Sequence, residues 1–126
     1  MNRNLGIIGL GLVGSALYTR LQAQGYAVHG FDIDDKACET ARTQGVAIHA
    51  SPLELSQSCP TIILSLPDSG AVHQVLWGTD GLAKTTREAA LILDSSTIDP
   101  RRSLEHWGLM KAHGHLYVDI PFVGSS

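Results

Sequence analysis

Gly9-Leu10-Gly11-Leu12-Val13-Gly14 is the stretch that decides how this 126-residue chain folds. Its three glycines are spaced G-x-G-x-x-G, directly after the apolar run 5–10 and directly before Val13, Ala16, Leu17 and Leu21 at helical spacing. The run reads as a strand that is apolar on both faces, the form of a central parallel strand covered by helices on either side. A glycine-rich turn between such a strand and a helix gives each glycine a task. Gly9 permits the tight turn, Gly11 leaves the backbone open to a pyrophosphate, and Gly14 lets helix and strand pack closely. The free N–H groups and positive end of the helix then face the phosphates. Leu10, Leu12 and Val13 therefore join the three glycines as candidate cofactor contacts.

The next segment strengthens this reading. Gly25 ends the helix, 27–32 reads as a second strand, and that strand closes on Asp32, 18 residues beyond Gly14. A carboxylate in that place accepts hydrogen bonds from the adenosine ribose hydroxyls and repels a 2′-phosphate. Ile33 is grouped with Asp32 as a cofactor contact, and neither it nor Asp34 and Asp35 supplies an Arg for such a phosphate, so NAD is expected in preference to NADP. Asp34 and Asp35 themselves read as acids at a helix start.

The rest of the chain alternates short apolar runs with amphipathic stretches. Further strands are expected at 46–49, 61–66, 90–93 and 115–120. Ser51, Pro52 and Glu54 spell a capped helix start, Pro67 and Asp68 lead into a helix over 69–77, and Asp99 with Pro100 opens a last helix. Leu104, Trp107 and Met110 are the expected inner face of that last helix. Six strands joined by crossovers predict a single α/β domain over 1–126, a doubly wound (Rossmann) parallel sheet with helices on both faces and strand order 3-2-1-4-5-6.

Composition excludes several other classes. The formal net charge is −3 and the nine Lys and Arg are scattered, so no basic face offers itself to nucleic acid. No apolar run approaches the roughly 20 residues of a spanning helix, and 1–10 lacks the pattern of a secretory signal, so a cytoplasmic protein without a membrane partner is expected. Cys38 and Cys59 stand apart, as small thiols in partly buried places, and His113 and His115 flank Gly114, which reads as a helix terminator; no metal site is expected.

Four motifs in series carry a resemblance. They are Gly9 to Gly14, then Leu66-Pro67-Asp68-Ser69, then Asp94-Ser95-Ser96-Thr97-Ile98-Asp99-Pro100, then Asp119-Ile120-Pro121-Phe122-Val123-Gly124-Ser125. In this order and spacing the chain resembles, over nearly its whole length, the N-terminal domain of the β-hydroxyacid dehydrogenases, the family containing 3-hydroxyisobutyrate dehydrogenase and tartronate semialdehyde reductase. The resemblance implies that Leu66 and Pro67 contact the cofactor, that Thr97 lies beside the nicotinamide and its ribose, and that Val123, Gly124 and Ser125 form the loop holding the substrate carboxylate. It also implies a small hydroxy acid or its semialdehyde as substrate.

This sequence departs from the family pattern at that loop, where relatives usually carry Ser at the place of Val123 and Gly at the place of Ser125. The family's catalytic lysine lies in a helical region beyond the last motif. The chain is accordingly expected to bind NAD without completing the reaction alone, no catalytic residue is assigned, and a partner chain could supply the remaining domain. Two other readings stay open: a non-catalytic NAD-binding or assembly module, and the NADP-binding domain of a 6-phosphogluconate dehydrogenase-like reductase, against which Asp32 counts.

Overall fold

The computed structural model describes residues 2–96 and 98–120. Six strands, β1 (Asn4–Ile8), β2 (Ala27–Phe31), β3 (Ala47–Ile48), β4 (Thr61–Leu64), β5 (Leu91–Asp94) and β6 (Leu116–Asp119), form one sheet in the order β3-β2-β1-β4-β5-β6. Every neighbouring pair is parallel. The order reverses between β1 and β4, leaving a crevice at the carboxyl ends of those strands, where this kind of sheet binds its ligands.

Helices cover both faces, and the alternation of β1 shows how. Ile7 points into a core built with Tyr18 of α1 (Leu12–Ala23) and Ala41 of α2 (Asp35–Thr43). Ile8 points the other way, into a core with Leu55 of α3 (Pro52–Ser56), Val72 and Leu76 of α4 (Ser69–Trp77) and Met110 of α5 (Pro100–Ala112). Both isoleucines are essentially excluded from solvent, a burial that stabilises the fold by about 1.5–3 kcal/mol each. The helix starts use the expected chemistry. Ser51 Oγ accepts from the Glu54 N–H (3.1 Å) while Glu54 Oε2 accepts from the Ala50 N–H (3.1 Å), and Asp34, Asp68 and Asp99 each cap the helix that follows.

Four expectations need correction. Strand β1 ends at Ile8 and not at residue 10, because Gly9 turns with φ +101° and its N–H passes to Phe31 O. Strand β4 ends at Leu64 and not at residue 66, because the Leu66 N–H is taken by Ser96 Oγ (2.8 Å). On α1 the buried residues are Gly14 and Tyr18, with Leu17 and Leu21 packed against the same core as expected, while Val13 and Ala16 are exposed; seating Gly14 against the Gly9 carbonyl fixes the rotation of the helix. On α5 the buried stripe is Ser103, His106 and Met110. Leu104 is 69% and Trp107 42% exposed, since His106 is drawn inward to accept a hydrogen bond from Trp77 Nε1 (3.1 Å). Cys38 and Cys59 are both free and buried, and burial pushes the Cys59 thiol up to about 12.

Candidate functional site: a cleft at the sheet's switch point

The turn after β1 is strapped to the end of β2. Gly9 N–H donates to Phe31 O (3.0 Å) and Leu10 N–H to Asp32 Oδ2 (2.7 Å), while Asp32 Oδ1 accepts from the Asp34 N–H (2.9 Å). Asp32 thus fixes the glycine turn with lone pairs to spare, since a carboxylate has about four acceptor sites. The glycines divide their labour as the motif requires. A Cβ at Gly9 would overlap the Ser65 carbonyl and one at Gly14 would overlap the Gly9 carbonyl, whereas one at Gly11 would meet nothing within 4 Å. Gly11 also stands at the N-cap of α1, where no side chain caps the helix and no acid occupies the first turn. The unpaired N–H groups there give that open space a positive lining.

The opposite wall follows β4 and is propped from behind by the serine-rich turn. Ser95 Oγ donates to Leu64 O (2.6 Å) and Ser96 Oγ accepts from the Leu66 N–H. Ser96 N–H donates to Asp94 Oδ1 (2.8 Å), and Tyr117 donates its phenol proton to Asp94 Oδ2. Asp94 is fully buried; burial first, and the Asp94 carboxylate next, push the Tyr117 phenol far above its usual value, which keeps it a donor. Ser95 and Ser96 therefore position the Leu66 wall from the interior.

Between these walls runs a cleft of about 880 Å³, within the range of small-molecule sites. Gly9, Gly11, Leu12 and Val13 line it from the turn, Asp32 and Ile33 from the end of β2, and Leu66 and Pro67 from beyond β4. Leu10 and Gly14 do not line it: the Leu10 side chain is buried in the core and its N–H is spent on Asp32, and Gly14 is buried against Gly9. Thr97, Val123, Gly124 and Ser125 lie outside the described residues. Leu12 and Ile33, 90% and 91% exposed, frame the mouth with apolar surface. Among the described residues no Lys or Arg lines the cleft. Pro52, Gln74 and Thr79 also line it; the sequence marks Pro52 only as a helix start and does not mark Gln74 or Thr79, and α3 is tied to the turn after α4 where Leu53 N–H bonds Asp80 O (2.9 Å).

A second, smaller cavity of about 330 Å³ lies between α5 and β6, beside Ser103, Trp107, Tyr117 and Asp119. Among the described residues no group of three metal-ligating side chains stands together, and no helix is long and apolar enough to cross a membrane.

Residues 4–126 match the family model described as the NAD binding domain of 6-phosphogluconate dehydrogenase. The chain belongs to this family. It is 32% identical over 120 residues to mitochondrial 3-hydroxyisobutyrate dehydrogenase of Mus musculus, covering 95% of the chain and 36% of that protein. It is 31% identical over 117 residues to 3-sulfolactaldehyde reductase of Escherichia coli, covering 93% and 39%. The solved 3-hydroxyisobutyrate dehydrogenase of Mycobacterium tuberculosis, determined with L-serine, superposes with a TM-score of 0.89 at 34% identity, covering 98% of this chain and 42% of that one. The chain thus spans well under half the length of these oxidoreductases. It is an NAD-binding domain with the doubly wound (Rossmann) fold.

Proposed function

We propose that the cleft holds NAD with its pyrophosphate over Gly11 and the start of α1, its adenosine ribose on Asp32, and its nicotinamide end beside Leu66, Pro67 and Thr97. The reading is carried by one observation: the open space at Gly11, inside the cleft and at an uncapped helix start, between two glycines that are each closed to a side chain. The fit extends to charge. Asp32 faces the cleft with no Lys or Arg among the described lining residues, which favours ribose hydroxyls over a 2′-phosphate and so NAD over NADP. Bound dinucleotide supplies a hydride acceptor or donor. The chain's own part is to bind and orient it, with Leu10 N–H and Asp34 N–H fixing Asp32, and Ser96 fixing the Leu66 wall.

In the intact enzyme we place this domain, residues 1–126, before a helical catalytic and dimerisation domain, and read the reaction as NAD-dependent interconversion of a small β-hydroxy acid and its semialdehyde. Support comes from the kinds of oxidoreductase to which the chain is similar. The loop of Val123, Gly124 and Ser125 is proposed to hold the substrate, and no residue of this chain is given the role of proton acceptor.

The test is a fluorescence titration of the purified chain with NADH and with NADPH. Tighter binding of NADH is expected, with Asp32→Asn narrowing the gap. Equal affinities in the unmutated chain would remove the assignment of Asp32.

A further inference from the structure

Part of the cleft's lining is addressed by neither the glycine motif nor the acid after β2: Pro52 at the start of α3, and Gln74, Val75 and Thr79 from α4 and the turn that follows it, which line the same cleft as Asp32 and Ile33. On the reading just given, with the phosphates at α1 and the ribose at Asp32, the base of the dinucleotide is placed against these residues. The apolar surfaces of Ile33, Pro52 and Val75 suit the faces of a planar heterocycle. The edge of that heterocycle needs polar partners, and among these residues the hydrogen-bonding side chains are Gln74 and Thr79.

The two are not equivalent. Thr79 brings one hydroxyl, whereas Gln74 brings an acceptor and a two-proton donor side by side in one plane. Gln74 is exposed, and its Oε1 lies 2.6 Å from the point where a Cβ on Gly78 would stand. The amide therefore rests over Gly78, next to Thr79 on the cleft wall. Adenine presents on one edge the N6 amino donor and the N7 acceptor, a pattern that a glutamine amide matches with two hydrogen bonds.

We propose that Gln74 is the residue that reads the adenine base, accepting from N6 and donating to N7. Replacing the amino group by oxygen, as in hypoxanthine, turns that edge into two acceptors. Whichever way the Gln74 amide is turned, its own oxygen then faces an acceptor, so one bond is lost and a repulsion added.

The experiment compares the chain's affinity for NADH with that for reduced nicotinamide hypoxanthine dinucleotide, by fluorescence titration, in the unmutated chain, Gln74→Leu and Thr79→Val. The unmutated chain is expected to prefer NADH by about 5-fold or more. Gln74→Leu should weaken NADH by that factor and bind the two alike, while Thr79→Val keeps the preference. Equal binding of the two dinucleotides by the unmutated chain, or a preference that survives Gln74→Leu, overturns the proposal and leaves the cleft as the dinucleotide site. Failure of the unmutated chain to bind either one overturns the dinucleotide reading itself, so the two failures are told apart before any variant is made.

Discussion

Gly11 and Gly14 stand three residues apart and ask for opposite outcomes on substitution. Gly11→Val places its side chain in open space, so the fold should survive with an unchanged circular dichroism spectrum while NADH binding is abolished. Gly14→Ala drives a Cβ into the Gly9 carbonyl, and should cost at least about 1–3 kcal/mol of stability, read from urea unfolding. Tight NADH binding by Gly11→Val would show that the phosphates lie elsewhere. The roles of these glycines were legible in the sequence because the motif encodes backbone sterics, which need no tertiary information. Asp32 was legible as a ribose acceptor, but its second task was not. Its bond to the Leu10 N–H joins residues 22 apart in the chain, and no periodicity reports such a contact. Asp32→Ala should therefore lower the unfolding midpoint as well as the NADH preference, because the Leu10 and Asp34 N–H groups lose an acceptor, at about 1–3 kcal/mol.

At the scale of elements, the sequence located the six strands and five α-helices, and its errors concern where β1 and β4 end and which face of α1 and α5 turns inward. The stripe Leu104, Trp107 and Met110 is the more apolar choice for α5, yet the helix buries Ser103 and His106 in its place. The deciding partners, Trp77 Nε1 on His106 and the ring of Tyr117 at 5.6 Å from it, come from α4 and β6. They are invisible in the helix's own pattern. The burial has a cost that pH can expose. His106 accepts from Trp77 at Nδ1, and among the described residues its buried Nε2 finds no partner. Burial is the largest cause holding His106, and likewise His29 and His115, below the usual value of 6.5. The folded state thus takes up protons at lower pH than the unfolded chain does. The stability these neutral rings contribute is fully present above pH 6.5 and declines as pH falls below it. Thermal unfolding should give a lower midpoint at pH 5.5 than at pH 7.5. His106→Asn, which can accept from Trp77 without titrating, should flatten that dependence. A midpoint that holds or rises on acidification contradicts the assignment.

For the whole molecule, the alternation of strand and helix and the position of the glycine turn were enough to predict the parallel sheet and its order, because crossover handedness and helix coverage leave few other topologies. The share of the cleft lining that comes from Pro52, Gln74 and Thr79 was not legible, because α3 and the turn after α4 meet only in the folded chain. The sheet's other margin differs in character. Leu104 and Trp107 of α5, with Leu116 and Ile120 around β6, leave an apolar surface beside the smaller cavity. The two regions lie on opposite sides of β5 in the sheet order, so a titration that reports position can tell them apart. The measurement that bears most directly on the central claim is the backbone amide NMR spectrum of the chain during addition of NAD. Shifts are expected at Gly9, Gly11, Leu12 and Val13, at Asp32 and Ile33, and at Leu66, with Trp107, Leu116 and Tyr117 unmoved. Shifts confined to α5 and β6, or none at saturating NAD, would contradict that claim.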